Sequence, residues 1–176
     1  PILENLGLRV GAERAYPVRS GGKKYWIQEF SLIYSLASNI DLKQVKDEFE
    51  DAFARIWNGE AESDSFNRLL LGSRLGWREI ALLRAYACYF GQIRFPYSRS
   101  YIAETMANHL PISGAIVELF LTRFSPNFDG DDAFRDSREQ AVEEQIFKAL
   151  DEVQNLGQDR IIRHYVAAIK ATVRTN

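Results

Sequence analysis

The run Gly21-Gly22-Lys23-Lys24 is the place where residue types and spacing in this sequence come closest to a phosphate-binding loop. Such a loop requires Gly-x-x-x-x-Gly-Lys-Ser/Thr directly before a helix, so that backbone N–H groups surround the phosphate. Here the spacing is incomplete, and the run lies between two segments with strand periodicity. Glycine pairs supply the positive φ angles of tight hairpin turns. We therefore predict a hairpin turn and no catalytic lysine.

Residues that could bind a metal are scattered along the chain. His109 and His164 are distant in sequence from each other and from Cys88, whereas a zinc site needs clustered imidazole and thiolate ligands. Residues 129–132, Asp-Gly-Asp-Asp, are similar to part of a calcium loop, but the glycine and glutamate that such a loop places at its sixth and twelfth positions do not follow. We predict a helix-capping loop there and no metal site.

Other catalytic signatures are also missing from the sequence. A dinucleotide-binding fold needs Gly-x-Gly-x-x-Gly between a strand and a helix, and the sequence contains no such run. No nucleophile is accompanied by a recognisable base. The sequence therefore predicts no catalytic, cofactor-binding or metal-binding residue in this chain.

Two sets of residues are candidates for contact with an anionic partner. The aromatic set is Trp57, Trp77, Tyr86, Tyr89 and Phe90, and the arginine set is Arg78, Arg84, Arg94 and Arg99. The helical spacing of the aromatic residues favours a core over a base-stacking platform. With 22 Lys and Arg against 24 Asp and Glu, the net charge of −2 gives no global attraction for polyanions. We predict that the arginines pair with the acidic C-terminal helices, and that neither nucleic acid nor membrane is a partner.

The composition is that of a globular intracellular protein. Of 176 residues, 46% are apolar and 12% are aromatic, which suffices for a core. The single cysteine, Cys88, lies among apolar helical residues, so we predict a buried, unreactive thiol in a reducing, cytoplasmic environment. No apolar run approaches the ~20 residues of a membrane helix. Because the chain starts at Pro1 and its helical pattern reaches Asn176 without a stop signal, we expect an excerpt of a longer protein.

The first elements predicted to position these residues form a β-hairpin. Residues 8–18 mix apolar and charged types, and residues 25–34 alternate apolar side chains on two faces. Residues 1–6 fit the last turns of a helix that stops at Gly7, because glycine tolerates the left-handed conformation after a helix.

A helix is predicted to follow the hairpin. Asp41 is a suitable N-cap, apolar residues then recur at helical spacing as far as Trp57, and Gly59 is a suitable stop. Because an isolated two-stranded hairpin is only marginally stable in water, we expect this helix to pack on its apolar face.

The remaining sequence predicts short helices separated by loops, which is typical of a compact bundle and not of a coiled coil. Pro96 and Pro126 break the helical pattern. The residues predicted to begin the six helices are Ser63, Gly76, Ser98, Pro111, Ser137 and Asp159. The predicted fold class is α+β and mainly α, with an N-terminal hairpin and packed helix followed by a helical bundle.

Several strings in the sequence follow one another in a characteristic order. They are residues 58–69 (NGEAESDSFNRL), Trp77-Arg78-Glu79-Ile80, Leu83-Arg84-Ala85-Tyr86-Ala87, Phe95-Pro96-Tyr97-Ser98, Tyr101-Ile102, Val117-Glu118-Leu119-Phe120, Arg123-Phe124 and Arg174-Thr175-Asn176. Together they resemble the large bacterial NAD-specific glutamate dehydrogenases over nearly the whole chain. One departure is Gly76, where that family more often has a serine cap, and glycine is a comparable cap. The family's substrate lysines and nucleotide-binding glycines match no position here.

The resemblance implies an internal, non-catalytic segment of an enzyme that oxidatively deaminates L-glutamate to 2-oxoglutarate and ammonia. It implies that residues 1–60 are the latter part of an ACT-like domain, a β-β-α unit whose first strand lies upstream. Residues 61–126 are then a helical motif, and residues 127–176 a helical pair that leads toward an absent catalytic domain. The cofactor of the parent enzyme is NAD, and this segment itself binds none.

The partners implied by the resemblance are the rest of the same polypeptide and further copies of the parent in a homo-oligomer. A second hypothesis is an effector-binding or subunit-assembly module, because ACT-like domains often bind amino acids at paired interfaces. A third is a stand-alone helical adaptor.

Overall fold

The computed structural model describes residues 1–34 and 42–173. The elements are helix α1 (Ile2–Asn5), strands β1 (Leu8–Ser20) and β2 (Lys23–Tyr34), and helices α2 (Leu42–Trp57), α3 (Arg68–Ser73), α4 (Trp77–Gln92), α5 (Arg99–Asn108), α6 (Leu110–Phe124), α7 (Asp132–Leu150) and α8 (Leu156–Ala171), with a 3₁₀ turn at Ser65–Asn67. A two-stranded antiparallel hairpin precedes a helical bundle. The predicted fold class, α+β and mainly α, is confirmed.

The hairpin turn is where the sequence predicted it. Gly21 and Gly22 have φ angles of +55° and +76°, the left-handed values that a two-residue turn with the twist of its strands requires. Ser20 pairs with Lys23 directly beside the turn. Both strands are therefore two residues longer at the turn than predicted, because the ladder continues through polar residues that carry no apolar alternation.

A β-bulge near the base of the hairpin sets which side chains share a face. The register shifts between Val10 and Ala12, so Gly11 has no cross-strand partner. Beyond it, Glu13 is paired with Phe30 and Pro17 with Trp26. Because a bulge adds one residue, it exchanges the two faces of β1 and keeps Val10, opposite Leu32, on the same face as Phe30.

The packing of α2 on the hairpin differs from our expectation. Leu8 and Tyr34, at the hairpin base, are half-buried against the core. Further out, Trp26 is 57% exposed and Ile27 is 58% exposed. The strands are longer than the helices beside them, so the outer half of the hairpin projects beyond those helices.

Helix α2 ends as predicted at Gly59. The glycine has φ +75°, its N–H donates to the Ile56 carbonyl, and the Glu60 N–H donates to the Arg55 carbonyl. This pair of bonds is a Schellman motif, which satisfies carbonyls that the helix end leaves free. The predicted N-cap, Asp41, lies outside the described residues.

Three of the predicted helix starts are confirmed. Gly76 is the N-cap of α4, and its N–H donates to the Glu79 side chain at 2.8 Å. The Ser98 hydroxyl accepts from the Tyr101 N–H at the start of α5. Pro111 lies in the first turn of α6, where its missing N–H costs nothing.

The start predicted at Ser63 is wrong by one residue. Asp64 is the N-cap of the 3₁₀ turn that leads into α3, with its carboxylate accepting from the Phe66 N–H. The Asn67 side chain accepts from the Asp64 N–H in return. Ser63 and Asp64 both satisfy the preferences for an N-cap, but only Asp64 also faces a buried cation, described below.

The starts predicted for the last two helices are also wrong. Helix α7 begins five residues before Ser137, with Asp131 as its N-cap, and α8 begins before Asp159, with Asn155 as its N-cap. In both cases the apolar residue of the first turn is exposed, Phe134 at 57% and Leu156 at 83%, so the stripe of apolar residues that we used to place the start begins after the first turn. Asp131 does confirm the capping role predicted for the acidic loop.

The core is one cluster that includes side chains from both the N-terminal unit and the bundle. Its largest fully buried members include Leu6, Phe66, Phe90, Ile116, Ile146 and Tyr165. The Tyr165 hydroxyl donates to the Leu83 carbonyl at 2.9 Å, linking α8 to α4, and burial raises the pKa of Tyr165 well above its ordinary value. None of the described helices is both long and apolar enough to cross a membrane.

Two glycine-to-alanine changes should have opposite effects on stability. An alanine at Gly59 meets no neighbouring atom but must adopt φ +75°, so we expect the free energy of unfolding to fall by about 1 kcal/mol. Gly114 lies within α6 and also has open space around its Cα. There alanine should raise the free energy of unfolding by roughly 0.5–1 kcal/mol. Urea unfolding of both variants measures the difference, and equal effects would contradict the assignment of the stop at Gly59.

Candidate functional site

The residues considered above for a phosphate loop or a metal site lie in different parts of the fold. Lys24 is at the tip of the hairpin, with its Nζ 4.4 Å from the centre of the Trp26 ring. His109 Nε2 is 2.9 Å from Gln158 Oε1. Within residues 1–34 and 42–173, no group of three or more His, Cys, Asp and Glu residues is arranged to hold a metal ion.

Cys88 is not the buried thiol that we predicted. It is exposed on α4, one position beyond buried Ala87 and on the outer side of the helix. Arg99 Nη1 is 3.6 Å from its Sγ. An apolar neighbourhood in sequence did not identify the buried face, because α4 is apolar on more than one side.

The guanidinium of Arg84 is buried, at 5% exposure, and is surrounded by acceptors. Its Nε donates to Asp64 Oδ2 at 2.8 Å, and its Nη2 donates to Asp64 Oδ1 at 2.9 Å. Nη2 also lies 3.1 Å from Asn67 Oδ1, and Nε lies 3.2 Å from Glu62 Oε2. A buried cation is stable only with such partners. We call these residues, Glu62, Asp64, Asn67 and Arg84, the arginine clamp.

The clamp corrects our prediction that the arginines pair with the acidic C-terminal helices. Arg84 on α4 pairs instead with the segment directly before α3. Two acids of α7 have other partners: Arg123 Nη1 is 2.6 Å from Glu139, and Lys170 Nζ is 2.7 Å from Glu143. The clamp is therefore a connection within residues 61–126 and not between the two halves of the bundle.

The aromatic set divides between core and surface. Phe90 is fully buried, and Trp77 and Tyr86 are half-buried. Trp57 is 69% exposed and Tyr89 is 49% exposed, so for these two the predicted core position is wrong. Trp57 is the last residue of α2, where the apolar stripe has already passed the edge of the core.

His164 lies in an aromatic environment between α4 and α8. Its ring stacks on Phe95 with centroids 4.1 Å apart and contacts Phe90 edge-on at 4.6 Å. Its Nε2 is buried and has no hydrogen-bond partner among the described residues. Burial lowers the pKa of His164, because the charged form would lose hydration without gaining an acceptor.

Two large, open apolar grooves lie on the part of the chain that the structure describes. The first, of about 760 Å³, lies between α1, the base of the hairpin and α2, and its lining includes Ile2, Phe30, Phe53 and Trp57. Glu4, Glu13, Gln28 and Asn58 are the side chains that could contact a polar ligand there. The second, of about 710 Å³, lies between α4 and α8 and is lined by Tyr86, Tyr89, Ile93, Phe120 and Ala168 among others.

These features support binding and packing. Four buried polar side chains of the described residues are directed to structural partners: Thr105 donates to the Tyr101 carbonyl and Ser113 to the Met106 carbonyl, while Arg84 and Asn67 belong to the clamp. Sequence reasoning found neither groove. The only signal was the apolar character of the hairpin and of α2, which the sequence shows equally for buried and exposed faces.

Comparison with known families matches two parts of the chain. Residues 61–126 match the family described as "Glutamate dehydrogenase, helical motif 3". Residues 1–45 match the family described as "Glutamate dehydrogenase, ACT3 domain". The arginine clamp lies within the first match, and the hairpin lies within the second.

Curated relatives match over the whole chain. It is 46% identical to the NAD-specific glutamate dehydrogenase of Pseudomonas aeruginosa and 45% identical to that of Halomonas elongata, over 179 residues in each case. It is 35% identical over 182 residues to the protein of the same name from Mycobacterium tuberculosis. Each alignment covers 100% of this chain but only 11% of the relative's length.

Removing the cation of the clamp should strongly destabilise the fold. For Arg84→Met we expect the free energy of unfolding to fall by about 3 kcal/mol, because Asp64 keeps a partly buried charge without its partner. Arg163→Met is the matched control, since Arg163 is 52% exposed in its pair with Asp159, and such pairs contribute no more than roughly 0.5 kcal/mol. Chemical denaturation measures both. Equal, small losses would show that the clamp is dispensable.

His164 should make stability depend on pH. The pKa of His164 is lowered in the folded state, so below the ordinary value of about 6.5 the unfolded chain binds the proton first. Stability should therefore fall as pH drops from about 6.5 toward the folded pKa. His164→Phe keeps an aromatic ring and should lose part of this decrease, whereas His109→Gln should not. Urea midpoints between about pH 5 and about pH 8 test this, and identical pH profiles for wild type and His164→Phe would contradict it.

Proposed function

Since residues 1–45 belong to the ACT3 domain and residues 61–126 to helical motif 3 of the glutamate dehydrogenase family, we propose that this chain is a structural and regulatory segment of an NAD-specific glutamate dehydrogenase. In this proposal the parent enzyme deaminates L-glutamate oxidatively to 2-oxoglutarate and ammonia, with NAD as the hydride acceptor. The glutamate and NAD sites belong to other parts of the polypeptide. This segment holds and adjusts their arrangement.

The observation that carries the proposal is the use made of buried polar groups. In an active site, buried polar groups point into a cleft and have shifted pKa values. Here the buried cation, Arg84, is enclosed by three partners, and Tyr165, whose pKa is raised, donates to a backbone carbonyl. Both groups stabilise helix packing, as a scaffold requires.

The proposed partners are the rest of the same polypeptide and other subunits of the enzyme. The grooves and the outer half of the hairpin support this role, because large apolar side chains at these places are exposed, and contiguous exposed apolar surface is typical of interaction sites. The division into residues 1–60, 61–126 and 127–176 remains part of the proposal. The loops after α2 and α6 fit its two boundaries.

An amino-acid effector is a second candidate, favoured by the groove between α1, the hairpin and α2. Its apolar wall could take a side chain, and Glu4 and Glu13 could accept hydrogen bonds from an ammonium group. Among the described lining residues, none is a lysine or arginine that could pair with the carboxylate. Calorimetry with a panel of amino acids on the full-length protein tests this candidate. Heat of binding that Glu13→Gln removes would support it, and no heat with any amino acid would reject it.

A scaffold role predicts that stability and turnover respond separately to mutation. In the full-length protein, Arg84→Met should lower the thermal midpoint while kcat and KM for glutamate and NAD, measured well below that midpoint, stay within about twofold. Arg163→Met should change neither. The isolated 176-residue chain should not reduce NAD with L-glutamate.

Either of two results would contradict this proposal. NAD-dependent turnover by the isolated chain would place the active site here. No glutamate-dependent reduction of NAD by the full-length protein would remove the assigned activity.

A further inference from the structure

The connection between α4 and α5, residues 93–98, begins with a second Schellman motif. The Phe95 N–H donates to the Phe90 carbonyl at 2.9 Å, and the Arg94 N–H donates to the Gly91 carbonyl at 3.2 Å. Such a motif needs one residue in the left-handed conformation, and that residue is usually glycine. Here it is Arg94, with φ +58°, a conformation that residues with a Cβ rarely adopt. Other contacts must therefore hold the connection in place.

The side chain of Phe95 makes these contacts. Its ring lies against that of Phe90 with centroids 5.6 Å apart, the apolar pair that often accompanies a Schellman motif. It also stacks on the ring of His164 in α8, with 6° between the planes. His164 in turn contacts Phe90 edge-on. We call Phe90, Phe95 and His164 the aromatic cluster. It holds the connection against α8, and one of its three rings can take up a proton.

The surroundings of His164 offer nothing to stabilise that proton. Its Nε2 is buried and has no hydrogen-bond partner among the described residues. The titratable groups of α4 that share its groove are the phenols of Tyr86 and Tyr89, and no acid is among the described residues that line this groove. Tyr165, beside Phe90, already donates to a backbone carbonyl.

The charged groups nearest to the cluster along the chain are cations. Arg94 directly precedes Phe95 in the connection, which otherwise contributes the phenol of Tyr97. On α8, Arg160 is the charged residue among those one turn away from His164 in either direction. Asp159 is paired with Arg163. An imidazolium in the closed cluster would therefore lose its hydration and gain no counter-charge.

We propose that the stack of Phe95 on His164 is a pH-sensitive contact that closes the connection between α4 and α5 at neutral pH and opens when the imidazole is protonated. Once Phe95 leaves, water can reach the imidazolium, so the open state binds the proton more tightly. By linkage, protonation then favours opening to the same extent. Because Ile93 and His164 both line the groove between α4 and α8, opening also changes that groove. This inference goes beyond the proposed function and does not depend on it.

The opening is confined to the connection because little apolar surface is buried there. Phe95 and Tyr97 are only half-buried, and Pro96 and Ser98 are exposed. Ile161 and Ile162 of α8 are fully buried, so α8 itself stays in place. Segments that bury little apolar surface open at a lower free energy than the core does.

Hydrogen exchange of the full-length protein, followed by mass spectrometry of its peptides, tests this contact. For residues 93–98 the protection factor should fall severalfold between about pH 7.5 and about pH 5.5. The limit is about tenfold, since the open state titrates near the ordinary pKa of about 6.5. Protection factors are ratios to the unprotected rate at each pH, so the effect of pH on exchange chemistry cancels. Peptides from the buried face of α7 should keep their protection.

Three variants separate the titration of His164 from other causes. His164→Phe keeps a ring for the stack but cannot be protonated, so residues 93–98 should be equally protected at both pH values. His109→Gln removes the other histidine and should retain the fall. Arg94→Gly relieves the left-handed position, so it should raise the protection at both pH values and leave their ratio unchanged.

Three results would overturn the proposal. They are a fall of less than twofold in the wild type, a fall that persists in His164→Phe, and an equal fall in α7, which would indicate unfolding of the whole segment. The comparison of two wild-type peptides needs no variant, so it decides the matter even if His164→Phe does not fold. Because exchange measures opening and not turnover, the result is independent of the assigned enzyme activity.

Discussion

The requirement that the buried guanidinium of Arg84 be neutralised determines much of the arrangement around it. A cation at this depth needs acceptors on several sides, and Asp64, Glu62 and Asn67 supply them from the segment before α3. Meeting that requirement fixes Asp64 as an N-cap, places Phe66 in the core and sets where α3 starts relative to α4. Electrostatics and apolar packing here enforce the same geometry, which is why one side chain can join a loop, a 3₁₀ turn and a long helix.

The local elements were largely predictable because each depends on a few neighbouring residues. The turn at Gly21 and Gly22, the stop at Gly59 and the caps at Gly76 and Ser98 follow from backbone preferences that act over about four residues. The starts of α7 and α8 were placed too late, since the apolar residues of their first turns, Phe134 and Leu156, are exposed and lie outside the buried stripe. Ser63 and Asp64 were equally good caps until the position of Arg84 was known.

The surfaces were less predictable, because exposure is a property of the assembled fold. Cys88 and Trp57 occur in apolar surroundings in the sequence, yet both are exposed. The partner of Arg84 could not be chosen from charge alone, since acids occur on both sides of it along the chain. The sequence itself contains no catalytic motif, whereas the first groove depends on how far α2 and the hairpin diverge and the second on how α8 packs beside α4. Family membership came from ordered strings of residues, and these carry no information about which surfaces stay open.

Pro17 limits the edge at which a further strand could pair with the two-stranded sheet. Ser20 and Lys23 flank a two-residue turn, so each donates its N–H to the carbonyl of the other. Hydrogen-bonded and non-hydrogen-bonded pairs alternate along an antiparallel ladder, so the pair Pro17 and Trp26 is not hydrogen-bonded. The nitrogen of Pro17 therefore lies on the outer side of β1. Proline has no N–H, so that margin lacks a donor midway along its length. The outer margin of β2 keeps the N–H groups of Lys24, Trp26 and Gln28. Any further strand would find a complete row of donors only beside β2.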